Sequence, residues 1–246
     1  MVITNSMPMA DIIHLNYLLL PVISRFDIKL GFDNKSVEEV CVENGVDVNF
    51  FLEIVNSYHD PDYFPDKELQ HFQLNLIVHY LQKTHEYYLE MKIPEIESKI
   101  KTLIDNSKNY KKESLEIIEK FFREYKEELI THIQREEDFI LPYVLEIEKA
   151  FQKNVADKEL IKKIKSYSID NFADEHNNVE DKLYDLKNII IKYLPPFEDI
   201  SLCQNILIEL FRLEKDLNNH ARIEDKVLIP KVRIMEKYLL DKMKQQ

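Results

Sequence analysis

Two stretches of this chain repeat one chemical phrase. Residues 132–142 read HIQREEDFILP, and residues 220–230 read HARIEDKVLIP. In each, a Glu stands four residues after the His and a Pro stands ten after it. Four residues span about one helical turn, so on a helix His132 and Glu136 point the same way, as do His220 and Glu224. The neighbours decide which way that is. Around His132 the same stripe carries Phe121, Tyr125, Leu129, Phe139 and Tyr143. Around His220 it carries Leu213, Leu217, Val227 and Leu228. Both pairs are therefore expected in an apolar interior, where a carboxylate is costly unless it is paired or holds a metal.

Two further histidines can meet them. His85 shares a helical stripe with Leu74, Val78 and Leu81, and His176 shares one with Ile169, Phe172, Val179 and Leu183. The resulting sets are His85, His132 and Glu136, and His176, His220 and Glu224. Four imidazoles and two carboxylates suffice for two metal ions, with Glu136 and Glu224 free to bridge them. No thiolate joins the set, which excludes cysteine-rich structural zinc. Imidazole with carboxylate suits iron, manganese or zinc. A six-ligand binuclear site with positions to spare best suits iron, although affinity order alone does not choose among these metals. A lone buried His is more often a hydrogen-bonded core residue, but a doubled His–Glu spacing is not four independent accidents. The other reading of the repeat is a buried polar network that fixes helix register.

The remaining candidates are weaker. His79 precedes His85 by six residues and points some 120° away, at an edge or behind the ligands. Glu180, four after His176, is an extra ligand or an acceptor that holds an imidazole in place. Glu137 and Asp225 read as solvated, although acids beside a metal site can orient ligands, and His14 and His59 read as ordinary. A Glu-x-x-His plan of the ferritin type occurs once, at Glu68 to His71, at the frayed start of a helix, and is rejected.

The elements that must position these residues are helices. With 246 residues, 45% apolar content and only two Gly, the chain can build a full core but has few tight turns or Gly-rich phosphate loops. Amphipathic periodicity predicts four long helices, over about 66–105, 111–152, 157–193 and 198–243, joined by short breaks. That order implies an all-α, up-down-up-down four-helix bundle. Pro94, Pro142 and Pro230 fall inside these helices, so kinks are expected there. A Pro- and acid-rich stretch, YHDPDYFPD (58–66), marks a boundary. The expected organisation is a small helical domain over 1–62 and the bundle over 63–246. Ser36 and Glu39 form a capping-box signal, and Gly45 is placed to end that helix.

Charge and cysteine content narrow the classes. A net charge of −12 repels phosphate backbones, which argues against nucleic-acid binding. The most apolar stretch, LNYLLLPVIS, is too short to span a bilayer, so no membrane partner is expected. Two cysteines, Cys41 and Cys203, fit a reduced cytoplasmic protein. The companion domain could mediate a homodimer.

Lone His ligands on helices one and three, with H-x-x-x-E on helices two and four, resemble the hemerythrin-like cation-binding family over roughly 70–235. The phrases HIQREEDFILP, HARIEDKVLIP and THEYYLEMKIPEI (84–96) carry that resemblance. It implies an oxo-bridged di-iron centre held by His85, His132, Glu136, His176, His220 and Glu224, with oxygen or nitric oxide as its small ligand. Residues 33–56, DNKSVEEVCVENGVDVNFFLEIVN, resemble the small helical domain before the bundle in repair-of-iron-centres proteins. That resemblance implies a role in restoring damaged iron–sulfur clusters under nitrosative or oxidative stress, with iron–sulfur proteins as partners. The family's adjacent Cys-Cys pair is missing, because the matching place reads IKLGF (28–32) with Leu30 and Gly31. The departure raises a second reading, a di-iron oxygen or nitric oxide sensor or carrier. Neither reading assigns a catalytic residue.

Overall fold

The computed structural model describes residues 1–106, 112–175, 179–193 and 199–243. Among these there is no strand, only an isolated bridge between Pro8 and Ser36. The fold is all-α. In chain order the helices are α1 (Met9–Leu15), α2 (Leu20–Ser24), α3 (Val37–Glu43), α4 (Val48–His59), α5 (Asp66–Leu69), α6 (Leu74–Glu86) and α7 (Ile93–Asn106). They continue with α8 (Lys112–Arg135), α9 (Leu141–Lys153), α10 (Lys158–Ser166), α11 (Ile169–Glu175), α12 (Val179–Asn188), α13 (Ile200–Ile223) and α14 (Ile229–Met243). No helix among the described residues is long and apolar enough to cross a membrane.

Two compact units are formed. The first contains Met1–Thr84, Val144–Asp170 and Arg222–Gln246. Its N-terminal helices start where the side chains predict. Ser36 accepts from the Glu39 amide while the Glu39 carboxylate accepts from the Ser36 amide, and Asp47 caps α4 through the Phe50 amide. Gly45, at φ +68°, ends α3 in the left-handed conformation that glycine adopts without a Cβ penalty. Asn56 of α4 both accepts from the Ile3 amide and donates to the Ile3 carbonyl, tying down the chain start. Phe26, Phe51 and Tyr80 then join these helices to α6, with ring centroids of Phe26 5.0 Å from Phe51 and 5.2 Å from Tyr80.

The second unit contains His85–Tyr143 and Asn171–Ala221. Its core is one apolar cluster drawn from four helical segments. Ile93, Ile96 and Ile100 come from α7, and Phe122, Tyr125 and Leu129 from α8. Leu183 and Leu186 come from α12, and Leu210, Leu213 and Leu217 from α13. The three-and-four spacing read from the sequence accounts for this face. Phe121 and Phe139, expected on it, are instead exposed: Phe121 lies at the edge of the α8 stripe whose centre is Tyr125 and Leu129, and Phe139 lies in the turn Glu136–Ile140 beyond α8.

The expected kinks take a definite form. Tyr87–Lys92, Glu136–Ile140, Ile189–Tyr193 and Glu224–Leu228 are π turns, and Pro94, Pro142 and Pro230 follow the ends of the first, second and last of these by two residues. A proline inside an α-helix removes a donor and collides with the carbonyl four residues back. Widening the preceding turn relieves the collision.

The third predicted segment, 157–193, is not one helix. Tyr167 is extended, at φ −155° and ψ 96°, and separates α10 from α11. The cause is tertiary: the carboxylate of Glu236, on α14, accepts from the Ile169 amide at 2.9 Å and caps α11 from outside. Likewise Glu148, on α9, accepts from the Leu74 amide at 2.7 Å and caps α6. Both carboxylates are buried, so each replaces solvent at a helix start where the dipole favours negative charge. Glu148→Ala or Glu236→Ala should each lower stability by about 1–3 kcal/mol, the cost of a buried amide left without its acceptor. Urea midpoints of the metal-free chains measure this, and unchanged midpoints would show the caps to be dispensable.

Candidate metal centre

The site is built from helix positions that the repeat specifies. His85 closes α6 one residue before its end, Glu136 opens the π turn after α8, His220 lies in the last turn of α13, and Glu224 opens the next π turn. His85, Glu136 and His220 are buried and their donor atoms lie within 4.8 Å of one another. Glu224 lies one turn beyond His220 on the same continuous helical run and is itself buried.

Within the second unit the geometry is specific. His85 Nε2 is 3.1 Å from Glu136 Oε2, and His132 Nε2 is 3.1 Å from Glu136 Oε1. Glu136 therefore offers one oxygen to each of two imidazoles, the disposition a bridging carboxylate needs. His85 Nε2 is also 3.2 Å from His220 Nε2, with ring centroids 4.9 Å apart. His132 is about one-fifth exposed; it contacts Glu136 without joining the tight group. His176 lies outside the described residues, as does the side chain of Glu180. His79 is exposed, consistent with an edge position, and so are His14 and His71. His59 is half-buried, with Nδ1 3.4 Å from Asn16 Nδ2.

One neighbour departs from its first reading, and another was not singled out in the sequence. Glu137 is half-buried, not solvated, and its Oε1 is 2.6 Å from His85 Nδ1. Asp225, in the matching position of the second phrase, is exposed. The only local signal for Glu137 is its place beside Glu136 in a turn facing α6. Tyr88, fully buried, sits edge-on to the His220 ring at 5.9 Å between centroids. Its hydroxyl donates to Asp216 Oδ1 at 3.1 Å. Its spacing of three from His85 was the available clue, since such residues share a helix face.

The donor set fits a cation. The Glu137 carboxylate accepts from Nδ1–H of His85, which in the neutral ring leaves the lone pair on Nε2. That lone pair points at a carboxylate oxygen of Glu136 and at a second imidazole nitrogen. A proton on His220 Nε2 can donate to that lone pair, and a protonated ring or a metal ion would also reconcile it with the Glu136 oxygen. Buried imidazole and carboxylate are the donors of iron, manganese and zinc sites, and a His whose far nitrogen is held by a carboxylate is the usual supporting arrangement.

Buried imidazoles and carboxylates gathered between long helices define a cation-binding helical bundle. Residues 76–232, more than half of the chain, match the Hemerythrin HHE cation binding domain. The chain belongs to that family, and its fold is the hemerythrin-like bundle. It is also similar to the iron-sulfur cluster repair protein ScdA of Staphylococcus haemolyticus, with 21% identity over 114 residues. That match covers 46% of this chain and 47% of the relative, so the chain spans about half the length of the protein it matches.

Replacing Glu137 separates orientation from charge. Glu137→Ala should weaken metal binding by about 10–100-fold, the usual cost of losing the carboxylate behind a ligand imidazole. Glu137→Gln keeps an oxygen acceptor for Nδ1–H and should retain most of the affinity. Titration of metal-free protein with Co(II), followed by visible absorption, measures both. Equal affinity in all three chains would show that Glu137 does not orient His85.

Proposed function

We propose that this chain is a non-haem di-iron protein that acts in the repair of damaged iron–sulfur clusters or in the response to nitric oxide and oxygen stress. The observation that carries the metal part is the buried group of His85, Glu136 and His220 in a chain of the HHE cation-binding family. The ligands of the reading are His85, His132, Glu136, His176, His220 and Glu224. Glu136 and Glu224 would be shared between the two ions, and the imidazoles would complete the set. Two irons so held would supply one-electron redox chemistry and affinity for small diatomic ligands. The chain's own residues do the rest. Glu137 fixes the face that His85 turns inward. Tyr88 packs on His220 and ties it to Asp216. The apolar cluster of the second unit keeps bulk water from the donors.

The repair role draws on the similarity to ScdA and on the resemblance of residues 33–56 to the helical domain of such proteins. In this reading residues 1–62 form a companion domain that meets an iron–sulfur protein partner or a second copy, and 63–246 form the bundle. The two thiols, both free, are consistent with a cytoplasmic location.

One observation favours the second reading, a sensor or carrier of oxygen or nitric oxide. Thiol chemistry in the N-terminal helices is weak. Leu30 and Gly31 replace the paired cysteines, and Cys41 is fully buried, with its thiol pushed up to about 12 by burial and by nearby Asp47. A thiol so raised carries little thiolate at neutral pH and is a poor nucleophile.

Three measurements test these readings. Anaerobically purified protein should contain two irons per chain, and Glu136→Ala or Glu224→Ala should lose at least one. Two irons retained in both variants would remove the bridging assignment. Incubation with an iron–sulfur enzyme inactivated by nitric oxide should restore its activity if the chain repairs clusters. Reversible spectral change with nitric oxide, without such restoration, would select the sensor. Under native conditions Cys41 should resist alkylation and react only in denaturant; rapid native labelling would reopen a thiol role.

A further inference from the structure

We propose that Pro142 and Pro230, the last residues of the two repeated phrases, are positioning residues of the metal site, acting through the π turns they terminate. The proposal rests on reading the buried His–Glu group as a metal site.

The observations begin with exposure. Pro142 is exposed and Pro230 only half-buried, so core packing does not account for a proline at either place. What both share is backbone geometry. The amide of Leu141, just before Pro142, donates to the carbonyl of Glu136. The amide of Ile229, just before Pro230, donates to the carbonyl of Glu224. Each bond spans five residues instead of four, and each ends on the buried Glu of its own phrase. The same relation links Ile93, before Pro94, to Tyr88, which packs on His220.

Proline supplies the cause. In an α-helix the amide at 230 would donate to the carbonyl of Lys226 and the amide at 142 to that of Asp138; proline has no such proton and its ring crowds that carbonyl. At the second repeat the released Lys226 carbonyl accepts instead from the side-chain amide of Gln70, at 3.3 Å. The chain therefore provides a substitute partner for a carbonyl that proline removes from the helical ladder.

The consequence reaches the site in the first phrase. Successive residues of an α-helix point 100° apart, which sends neighbouring carboxylates to different surroundings. A wider turn brings neighbours closer in direction. Glu136 and Glu137 use this to hold opposite nitrogens of one ring: Glu136 Oε2 is 3.1 Å from Nε2 of His85 and Glu137 Oε1 is 2.6 Å from its Nδ1. With alanine at 142 the four-residue bond becomes available, the turn can tighten, and the clasp on His85 opens.

The test uses the full chain with Pro142→Ala, Pro230→Ala and both together. Removing a proline from a helix interior restores a donor, so the metal-free variants should keep their helical circular dichroism and melt at or above the wild-type temperature. Their Co(II) dissociation constants should rise at least about tenfold, the scale seen when ligand-supporting groups are lost, with altered visible bands. A merely structural role predicts the opposite sign, lower melting with unchanged bands in the fraction that stays folded. Wild-type affinity and spectrum in both single variants would overturn the proposal, as would loss of the helical signal, since it requires the prolines to be dispensable for folding.

Failure of the metal reading looks different: the wild-type chain itself binds no Co(II) or Fe(II). In that event the proposal is decided without metal, by the hydrogen-bonded Nδ1–H proton of His85 in NMR spectra, assigned by its loss in His85→Gln. Its disappearance in Pro142→Ala supports the proposal, and its persistence overturns it.

Discussion

Two carboxylates with about 1% of their surface exposed dominate the energetics of this chain. An ionised carboxylate removed from water without compensation is among the most expensive features a protein can carry. Elsewhere the chain solves that problem internally. Lys92 pairs with Glu209, which Arg212 also contacts at 2.8 Å, and Lys187 pairs with Glu214. These ion pairs neutralise themselves, and breaking one would strand a buried charge. Glu136 meets imidazoles: its two oxygens lie 3.1 Å from Nε2 of His85 and of His132. Protons on those rings or a bound cation would offset its charge. That distinction, more than burial itself, separates a site from a structural pair.

Holding such a group open requires stiffness, and the repeat supplies it at two levels. Near the site, each phrase has a Glu at the head of a π turn and a proline behind it. Further along the same helical runs, Glu148 and Glu236 stand at equal distances from Glu136 and Glu224, and each caps the start of another helix. The duplication thus extends beyond the donor residues to the contacts that fix where helices begin. A carboxylate on a long helix can reach an N-terminus only if both helices hold their register. The caps therefore couple site geometry to helix position in each half of the repeat.

Much of this was legible from residue type and spacing. The two His–Glu pairs, the inward stripe through Tyr125 and Leu129, the burial of Leu213, Leu217, Val227 and Leu228, and the Ser36–Glu39 cap all depend on short-range periodicity, which sequence displays directly. The break at Tyr167 was invisible because Glu236, far along the chain, makes it. For Glu137 solvation is the first reading and orientation of a ligand the second; the second fits, because a turn of unusual width carries it to His85. Prolines announced irregularity but not its kind. A kink and a π turn look alike in sequence, and only the five-residue bond to Glu136 or Glu224 distinguishes them. Phe121 shows the converse limit, since periodicity locates a stripe more sharply at its centre than at its edges.

Burial also constrains what a loaded site could do. A reaction that delivers iron to another protein needs the ion to leave donors that are at most 5% exposed in His85, Glu136, His220 and Glu224. Release from such a group proceeds through local opening of the helices, at a free-energy cost that the surrounding apolar layer sets. A thiol able to draw the ion out would lower that cost, and Cys41, buried and raised to about 12, is not one. Binding of a diatomic molecule makes a smaller demand, because only a small neutral ligand must cross the apolar layer while the donors stay in place. The repair reading therefore depends on a partner or an opening motion that loosens the helix ends at the π turns, whereas the sensing reading works with the donors held as they are. The π turns are where the two readings diverge physically: opening there would release the five-residue bonds that end on Glu136 and Glu224, whereas sensing leaves them in place.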